Sequence, residues 1–398
     1  MNFVIFGYSF PPRCGAETFC SARFASALAQ AGHNVHVVTM DHPWAISHEV
    51  YDFLVDPSIK ITRITKRPVS KFNVMPMRLK HQMRGNEAVD FDNCVKTLRS
   101  VLRATESPVL ISRSMPEVSC MVAWHCRKYA SKWIAHFSDP FPWDMGRWQT
   151  IKGWFVSRWE LAWGRRIIRD SDAVSLTCES AKQVFHQMYG ALFDAKKVII
   201  STHIGEPPLV TRRTWKRDCD GTLIIHAGWL CRERGGLKML EAIRQLNSGG
   251  QRFYFYQIGS AAAEVEAMLG QSNKTKQVVD ASPDLAMAIA NSADICFIPD
   301  LQTDLGYSPF LPSKFVYQLF TDIPIVVYTS KNSEMARYAM RFPLAGIVFA
   351  DIEEDGSLTL AIQKAANLEK NDIQRASVRS LFSRKAICEN VERGLSGE

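Results

Sequence analysis

The chain has 398 residues, 46% of them hydrophobic and 22% charged, with 48 Lys and Arg against 40 Asp and Glu for a formal charge of +8. That length suits two or three domains of roughly 100 to 200 residues, and the composition excludes a disordered, collagen-like or small disulfide-stapled protein. The charge is uneven: residues 1–200 carry 26 basic and 17 acidic side chains, residues 201–398 carry 22 and 23.

Met1 to Phe10 has no cationic leader and reads as a strand rather than a signal peptide. No run of about 18 apolar residues occurs, so no transmembrane helix is expected. An apolar run Phe3–Phe6 is followed by a turn-rich loop Gly7–Gly15, a helical segment Ala16–Ala31 and a buried strand Asn34–Thr39. Continuous β-branched runs alternating with amphipathic helices are the mark of parallel sheets covered on both faces. Further strands are expected at Ile59–Ile64, Val109–Ser112, Trp133–Phe137, Ala173–Leu176 and Val198–Ser201, with helices around 88–104, 116–130, 150–169 and 179–189.

Residues 205–220, with Pro207, Pro208 and no apolar period, read as a linker. A second series then begins: strand Leu223–Ala227, helix Gly236–Leu246, strand Arg252–Ile258, helices 262–270 and 283–291, strand Ile295–Pro299, helix 313–321, and strands Ile323–Val327 and Gly346–Phe349. The expected organisation is an α/β protein of two Rossmann-like, doubly wound domains, 1–204 and 222–371, joined by a linker at 205–221. Residues 372–398 read as a mixed-charge helix that could pack back on the N-terminal domain. The ten cysteines are scattered and several sit in apolar runs, so they read as reduced thiols of a cytosolic protein.

Ligands of open parallel sheets bind at the carboxyl ends of the strands. The loop Gly7–Gly15 lacks the G-x-G-x-x-G of a dinucleotide site, but Gly15 and Ala16 open a helix whose free N–H groups suit a phosphate or sugar oxygen. A plain turn with a helix cap is the competing reading. In the second half, Gly228 is followed by Arg232, Arg234 and the Gly235-Gly236 pair before a helix, a plausible diphosphate clamp. Ser313 is placed as an N-cap with Lys314 beside it, and Gly259 ends the next strand.

Phe10-Pro11-Pro12 with Gly15-Ala16-Glu17, Ala31-Gly32-His33-Asn34-Val35, Gly228-x-Leu230 with Arg234-Gly235, and Pro312-Ser313-Lys314 with Pro324 follow one another in order. This series, spanning residues 1 to about 370, resembles glycosyltransferase family 4. The resemblance implies a GT-B fold whose two domains face a cleft, with a nucleotide-sugar donor such as a UDP- or GDP-sugar on the C-terminal domain and the acceptor on the N-terminal one. It also implies retaining transfer with no cofactor and no bound metal. The implied donor-binding residues are Gly15, Ala16, Gly228, Arg232, Arg234, Gly259, Ser313, Lys314 and Tyr317, and the implied catalytic residues are His136 and Asp139 near the end of one strand. A core histidine and a turn-capping aspartate are the alternative for the last two.

The pattern breaks at several points. The two glutamates usual in the family are Pro309 and Tyr317 here, the usual arginine after the first donor-domain glycine is Trp229, and the usual glycine before Ile323-Pro324 is Asp322. Tyr317 could still offer its hydroxyl to a ribose. The missing carboxylates support a second reading, a non-catalytic GT-B partner or donor-binding regulator; a sugar-nucleotide epimerase is a third.

The segment 60–84 holds Lys71, Arg78, Lys80, Arg84 and four more cations with no acid, and Trp143, Trp148, Trp154, Trp159 and Trp163 are interleaved with arginines. Cations and tryptophans of this kind anchor membrane-surface segments, with core packing as the plainer alternative. The expectation is peripheral attachment at the cytoplasmic face of an anionic plasma membrane, near a lipid-linked or cell-surface glycan acceptor. No nucleic-acid module fits, and the sequence carries no signal for oligomeric state.

Overall fold

Continuous apolar runs such as Phe3–Phe6 and Ile295–Pro299 can be buried on both faces only if helices cover both sides of a sheet. The computed structural model builds two such sheets. It describes residues 1–13, 15–41, 54–66, 76–77, 90–114, 116–141, 151–206, 215–279, 281–303, 305–369 and 373–396, without the side chains of 151–156, 283 and 284. Lys71, Arg78, Lys80, Arg84 and the Trp154 side chain lie outside the described residues. The chain divides into two units, Met1–His203 with Arg384–Glu398, and Ile204–Ser383.

Unit one contains β1 (Asn2–Phe6), α1 (Ala16–Gln30), β2 (Asn34–Met40), β3 (Lys60–Ile64), α2 (Phe91–Ala104), β4 (Val109–Arg113), α3 (Val118–Cys126), β5 (Lys132–Phe137), α4 (Ile151–Asp170), β6 (Ala173–Leu176), α5 (Glu179–Tyr189), α6 (Ala191–Asp194) and β7 (Lys197–Ile200). Its seven strands are parallel in the order β3-β2-β1-β4-β5-β6-β7.

Unit two contains β8 (Thr222–Ala227), α7 (Gly236–Ser248), β9 (Phe253–Ile258), α8 (Ala263–Leu269), β10 (Thr275–Val278), α9 (Pro283–Asn291), β11 (Ile295–Pro299), α10 (Ser313–Gln318), β12 (Ile325–Thr329), α11 (Glu334–Arg341), β13 (Ile347–Asp351), α12 (Ser357–Ala366) and α13 (Ala376–Leu381). Its six parallel strands run β10-β9-β8-β11-β12-β13. In both sheets the order reverses beside the first strand, at β1/β4 and β8/β11, which is where such sheets open to ligands.

Three differences from the expected elements have local causes. Strand β12 begins at Ile325 rather than Ile323, because Pro324 has no N–H to give to the ladder while its carbonyl accepts from Cys296 N at 2.9 Å. Edge strand β10, Thr-Lys-Gln-Val, has no apolar run to announce it. Helices α11 and α12 were not expected, although Leu358, Ala361, Ile362 and Ala365 repeat at helical spacing and are all buried.

The C-terminal segment is two helices, not one, and they belong to different units. Arg375 and Arg379 hold the first part on unit two, and Phe382 is fully buried 5.3 Å from the Tyr338 ring. After Ser383 the chain returns to unit one as α14 (Arg384–Ser396). There Glu392 meets His33 Nε2 at 2.7 Å, and the last carbonyls of the helix accept from Lys132 and, at 2.8 Å, from Lys197. Lysines are favourable at that end because the helix dipole is negative there. The second part of the expected linker also packs on unit two: Trp215 stands edge-on to Tyr256 at 6.0 Å, and Tyr256 Oη donates to Asp218 at 2.5 Å.

Arg375 is only 2% exposed and is surrounded by backbone oxygens. It donates to Ala345 O at 2.6 Å, Gln318 O at 2.9 Å and Ile323 O at 2.7 Å, and also to Thr321 O. Burial and the neighbouring Arg379 bring its pKa down to about 10, still charged at neutral pH. A charged fork on carbonyls at the end of α10 satisfies groups a helix cannot satisfy itself. Arg375→Ala is expected to cost about 3 kcal/mol, because several buried carbonyls lose their partner at once. A urea titration of the variant beside Arg375→Lys, which should lose less, checks this.

Candidate functional site

At the carboxyl end of β8 the chain turns through Gly228 with φ +124, and Lys314 of α10 crosses directly over it. A Cβ at position 228 would overlap Lys314 Nζ, so this approach requires glycine. Residues Arg232–Arg234 form a single 3-10 turn that ends in Gly235, left-handed at φ +67, where a Cβ would come within 2.5 Å of the Tyr328 ring. Helix α7 starts immediately after. The turn is tied to the β11 loop by Gln302 N, which donates to Glu233 O at 3.0 Å. On the other side Gly259 N donates to Val278 O at 2.8 Å, ending β9 against β10.

The electrostatics are those of a site short of negative charge. Withdrawal from water, with the Arg234 guanidinium nearby, brings the Lys314 ammonium down from 10.5 to about 8. Such a shift corresponds to about 3 kcal/mol of disfavoured charge. Among the described residues the side chains of Lys314, Arg234 and Arg232 form no hydrogen bond or ion pair; the backbone of the arginine turn is bonded, Arg234 N to Cys231 O at 3.2 Å and Gly235 N to Arg232 O at 2.9 Å. Below Lys314, burial holds His226 down at about 3, and its Nδ1, 3.1 Å from Phe297 O, must carry the proton because a carbonyl only accepts. Asp300 at the end of β11 is buried and raised to about 6 by desolvation, which outweighs its bonds from Ser308 Oγ at 2.7 Å and Thr329 Oγ1 at 3.0 Å and the field of Arg234. Two cations, one neutral imidazole and one reluctant carboxylate leave room for an anion between them.

Ser313 is not the N-cap. Helix α10 is capped by Pro312, whose extended backbone lets Phe315 N reach its carbonyl at 3.0 Å, so Ser313 lies inside the first turn and its hydroxyl makes no capping bond. The cationic character of the site therefore comes from Lys314 and Arg234 rather than from a serine cap. Tyr317 is half-buried on the same helix.

In unit one the loop after β1 meets the ends of β4 and β5. Arg113, 4% exposed, donates from Nε and Nη2 to Glu17 Oε1 at 3.3 Å and from Nε to Ser21 Oγ at 3.1 Å; Ser138 Oγ donates to Glu17 Oε2 at 3.0 Å. Gly15 and Ala16 are exposed at the start of α1, but Glu17 already puts a carboxylate in that first turn. With Glu17 paired to Arg113 this end is close to neutral and suits an uncharged oxygen better than a phosphate.

His136 does not line an open surface. It is 2% exposed inside the sheet, with Nδ1 2.9 Å from Ser175 Oγ, and burial with Arg113 close by pushes it well below the ordinary imidazole range. A neutral histidine in that place, bonded to Ser175, ties two neighbouring strand ends together. Asp139, one residue beyond Ser138, is half-buried at the loop edge. Trp159 is half-buried and Trp163 is buried, edge-on to Trp124 at 5.6 Å, so core packing accounts for Trp163.

Sequence reasoning named Asp300 as a carboxylate that could approach the sugar, but missed the Glu17–Arg113–Ser138 network. The signal for that network was an arginine ending a largely apolar strand, a position that demands a counter-ion. Among the described residues no group of three His, Cys, Asp or Glu side chains could hold a metal ion, and no helix is long and apolar enough to cross a membrane.

Residues 15–202 match the protein family described as Glycosyltransferase Family 4. No curated protein matches the sequence. Among solved structures, the apo form of the lipopolysaccharide outer core galactosyltransferase WaaB is similar at 12% identity and TM-score 0.59, covering 100% of this chain and 99% of that one. A mutant of S. aureus TarM in complex with Fondaparinux, alpha-GlcNAc-glycerol and UDP is similar at 8% identity and TM-score 0.65, covering 100% of both. The catalytic domain of starch synthase IV from Arabidopsis thaliana, bound to ADP and acarbose, follows at 10% identity and TM-score 0.64, covering 98% of this chain and 99% of that one. At these identities the likeness is one of fold, the GT-B arrangement of two parallel-sheet domains.

The depressed pKa of Lys314 gives a pH signature. Between about pH 8 and 10.5 the native protein holds fewer protons at this residue than the unfolded chain, so its contribution to stability rises with pH across that window and is lowest below 8. Anion binding runs the other way, because it needs the charged form. The affinity for inorganic pyrophosphate is expected to fall above pH 8, approaching tenfold per unit, relative to Lys314→Arg, which stays charged. Calorimetry of both proteins from pH 7 to 9.5 checks it.

Proposed function

We propose that this chain, a family 4-like glycosyltransferase of GT-B fold, moves a hexose from a nucleotide-sugar donor to a glycan acceptor, with retention and without a metal ion. The observation that carries the reading is the Lys314–Arg234 pair at the β8/β11 switch point, two cations drawn together with no carboxylate between them. A leaving nucleoside diphosphate is the anion that fits, since it brings the negative charge the pair lacks and gains more of it as the glycosidic bond breaks. Fixed cations stabilise charge that develops in the transition state more than charge already present. Solved structures of this fold hold UDP or ADP, which agrees with a nucleotide at this place.

The acceptor belongs to unit one. Glu17, Ser138 and Asp139 at the strand ends offer acceptors for the hydroxyls of a glycan, with the Arg113 ion pair holding Glu17 in place. Asp139 is the remaining candidate to assist the attacking hydroxyl. WaaB is a lipopolysaccharide outer core galactosyltransferase, and a lipid-linked or cell-surface glycan suits the basic first half of this chain, set against the cytoplasmic face of an anionic membrane. Two observations favour the non-catalytic alternative: Tyr317 stands where the family has a glutamate, and His136 is enclosed.

In a thermal-shift panel with chelator present, UDP, GDP or one of their sugars should stabilise the protein, since stabilisation grows with ligand over Kd. Arg234→Ala and Lys314→Ala should each weaken that ligand about tenfold to a hundredfold. Transfer of radiolabelled sugar to a membrane-extracted acceptor separates an enzyme from a donor-binding regulator, and conversion of the donor without acceptor would identify an epimerase. Strict dependence on Mg²⁺ or Mn²⁺ would count against the metal-free mechanism. Sedimentation with anionic vesicles at low salt, lost at high salt, is expected if the first half binds membrane.

A further inference from the structure

Trp229 is 50% exposed, yet it does not sit on a loose loop. Gly228 N donates to Ile258 O at 2.7 Å and Gln257 Nε2 donates to Gly228 O at 2.5 Å. On the other side Leu230 N donates to Ser260 O at 3.2 Å, Ala262 N donates to Leu230 O at 2.9 Å, and the Leu230 side chain is fully enclosed in the unit-two core. Both neighbours of the tryptophan are therefore fixed, which fixes the point of the backbone that carries it. The indole makes no hydrogen bond, ring contact or cation contact with another described residue. A large apolar ring carried on a fixed backbone and left half exposed is the form an aromatic binding platform takes.

Its position relative to the cation pair says what would cover it. Lys314 Nζ lies over Gly228, the residue before Trp229, and adjacent Cα atoms are about 3.8 Å apart. An anion gripped there lies close to the Trp229 backbone, a separation an indole side chain can span. The two sides of this point differ. Toward β11 stand the polar groups Asp300, Gln302 and Ser308, suited to hydroxyls. Toward β9 and β10, where the Trp229 backbone is tied, the loops end in Gly259 and the 51%-exposed Val279. The hydroxyl-rich end of a bound diphosphate fits the first side, and a flat aromatic ring fits the second.

We infer that Trp229 is a specificity-determining residue that stacks on the planar base of the nucleoside diphosphate, with Lys314 and Arg234 on its phosphates. The inference rests on the reading of unit two as a nucleotide site. It explains why a cation common at this position in the family can be replaced: the contribution of a charge to the phosphates is exchanged for contact with the base.

Calorimetry on the full chain separates the terms, using inorganic pyrophosphate, UDP, GDP and glucose 1-phosphate. Trp229→Ala should weaken whichever of UDP and GDP the wild type binds more tightly by roughly tenfold to a hundredfold, as expected for base–aromatic stacking, and should leave pyrophosphate within about twofold. Trp229→Phe should retain most of the nucleotide affinity while losing the part of the emission quenching that nucleotide causes in the wild type. Unchanged nucleotide affinity in Trp229→Ala overturns the inference, as does an equal loss for pyrophosphate, which would mark a distorted phosphate site. A loss for glucose 1-phosphate as large as that for the nucleotide overturns it too, since the ring on the indole would then be the sugar. A wild type that binds neither pyrophosphate nor nucleotide overturns the nucleotide reading of unit two and this inference with it, whereas pyrophosphate binding without a tryptophan effect overturns this inference alone.

Discussion

The feature on which unit two is organised is a lysine ammonium taken out of water beside an arginine, with neither side chain in an ion pair and only the buried Asp300 in the field of the arginine. Left to itself such a pair would separate or discharge, because desolvation and like-charge repulsion both oppose it. Backbone that gives neither side chain an easier place holds it together. Gly228 lacks the Cβ that would push Lys314 away, Gly235 allows the arginine turn to close against Tyr328, and Gln302 fastens that turn to the next loop. A ligand that supplied the missing negative charge would recover the stability withheld here, gaining affinity without deforming the site.

The opposite end of α10 shows how the lysine is kept in place. A six-residue helix has little cohesion of its own. Arg375 gathers the carbonyls that follow it, so the helix is pinned by a buried cation at its carboxyl end while presenting another at its amino end. Unit one solves a similar problem in the reverse sense. Its buried Arg113 is fully answered by Glu17 and Ser21, leaving a neutral, hydrogen-bonding surface rather than a charged one. The two units thus differ in chemistry at equivalent points of equivalent sheets, one seeking an anion and the other suited to hydroxyl groups.

Most of the strands were legible because their apolar runs are uninterrupted, and β6, β11, α5 and α9 fall where composition and periodicity put them. The edge strand β10 escaped because it is half polar, and the break at Phe382 escaped because nothing local distinguishes a helix that changes hosts from one that continues. In the site, Lys314, Arg234 and Gly228 were readable from their order along the chain. His136 was not, since a histidine at a strand end looks alike whether its ring faces a cleft or the interior. The partner of Arg113 lies 96 residues away on another element, a distance over which spacing carries no information.

The passage of the chain from unit one to unit two and back again has a consequence for synthesis. Helix α14 supplies buried side chains to unit one, yet it follows the whole of unit two along the chain. While the ribosome is still working, β7 and α1 wait with an uncovered flank, and unit two, itself closed by Arg375 and Phe382, is completed only shortly before. Neither unit can therefore mature as an independent N-terminal piece in the way that successive domains usually do. A chain stopped before Arg375 would lack finishing parts of both units at once.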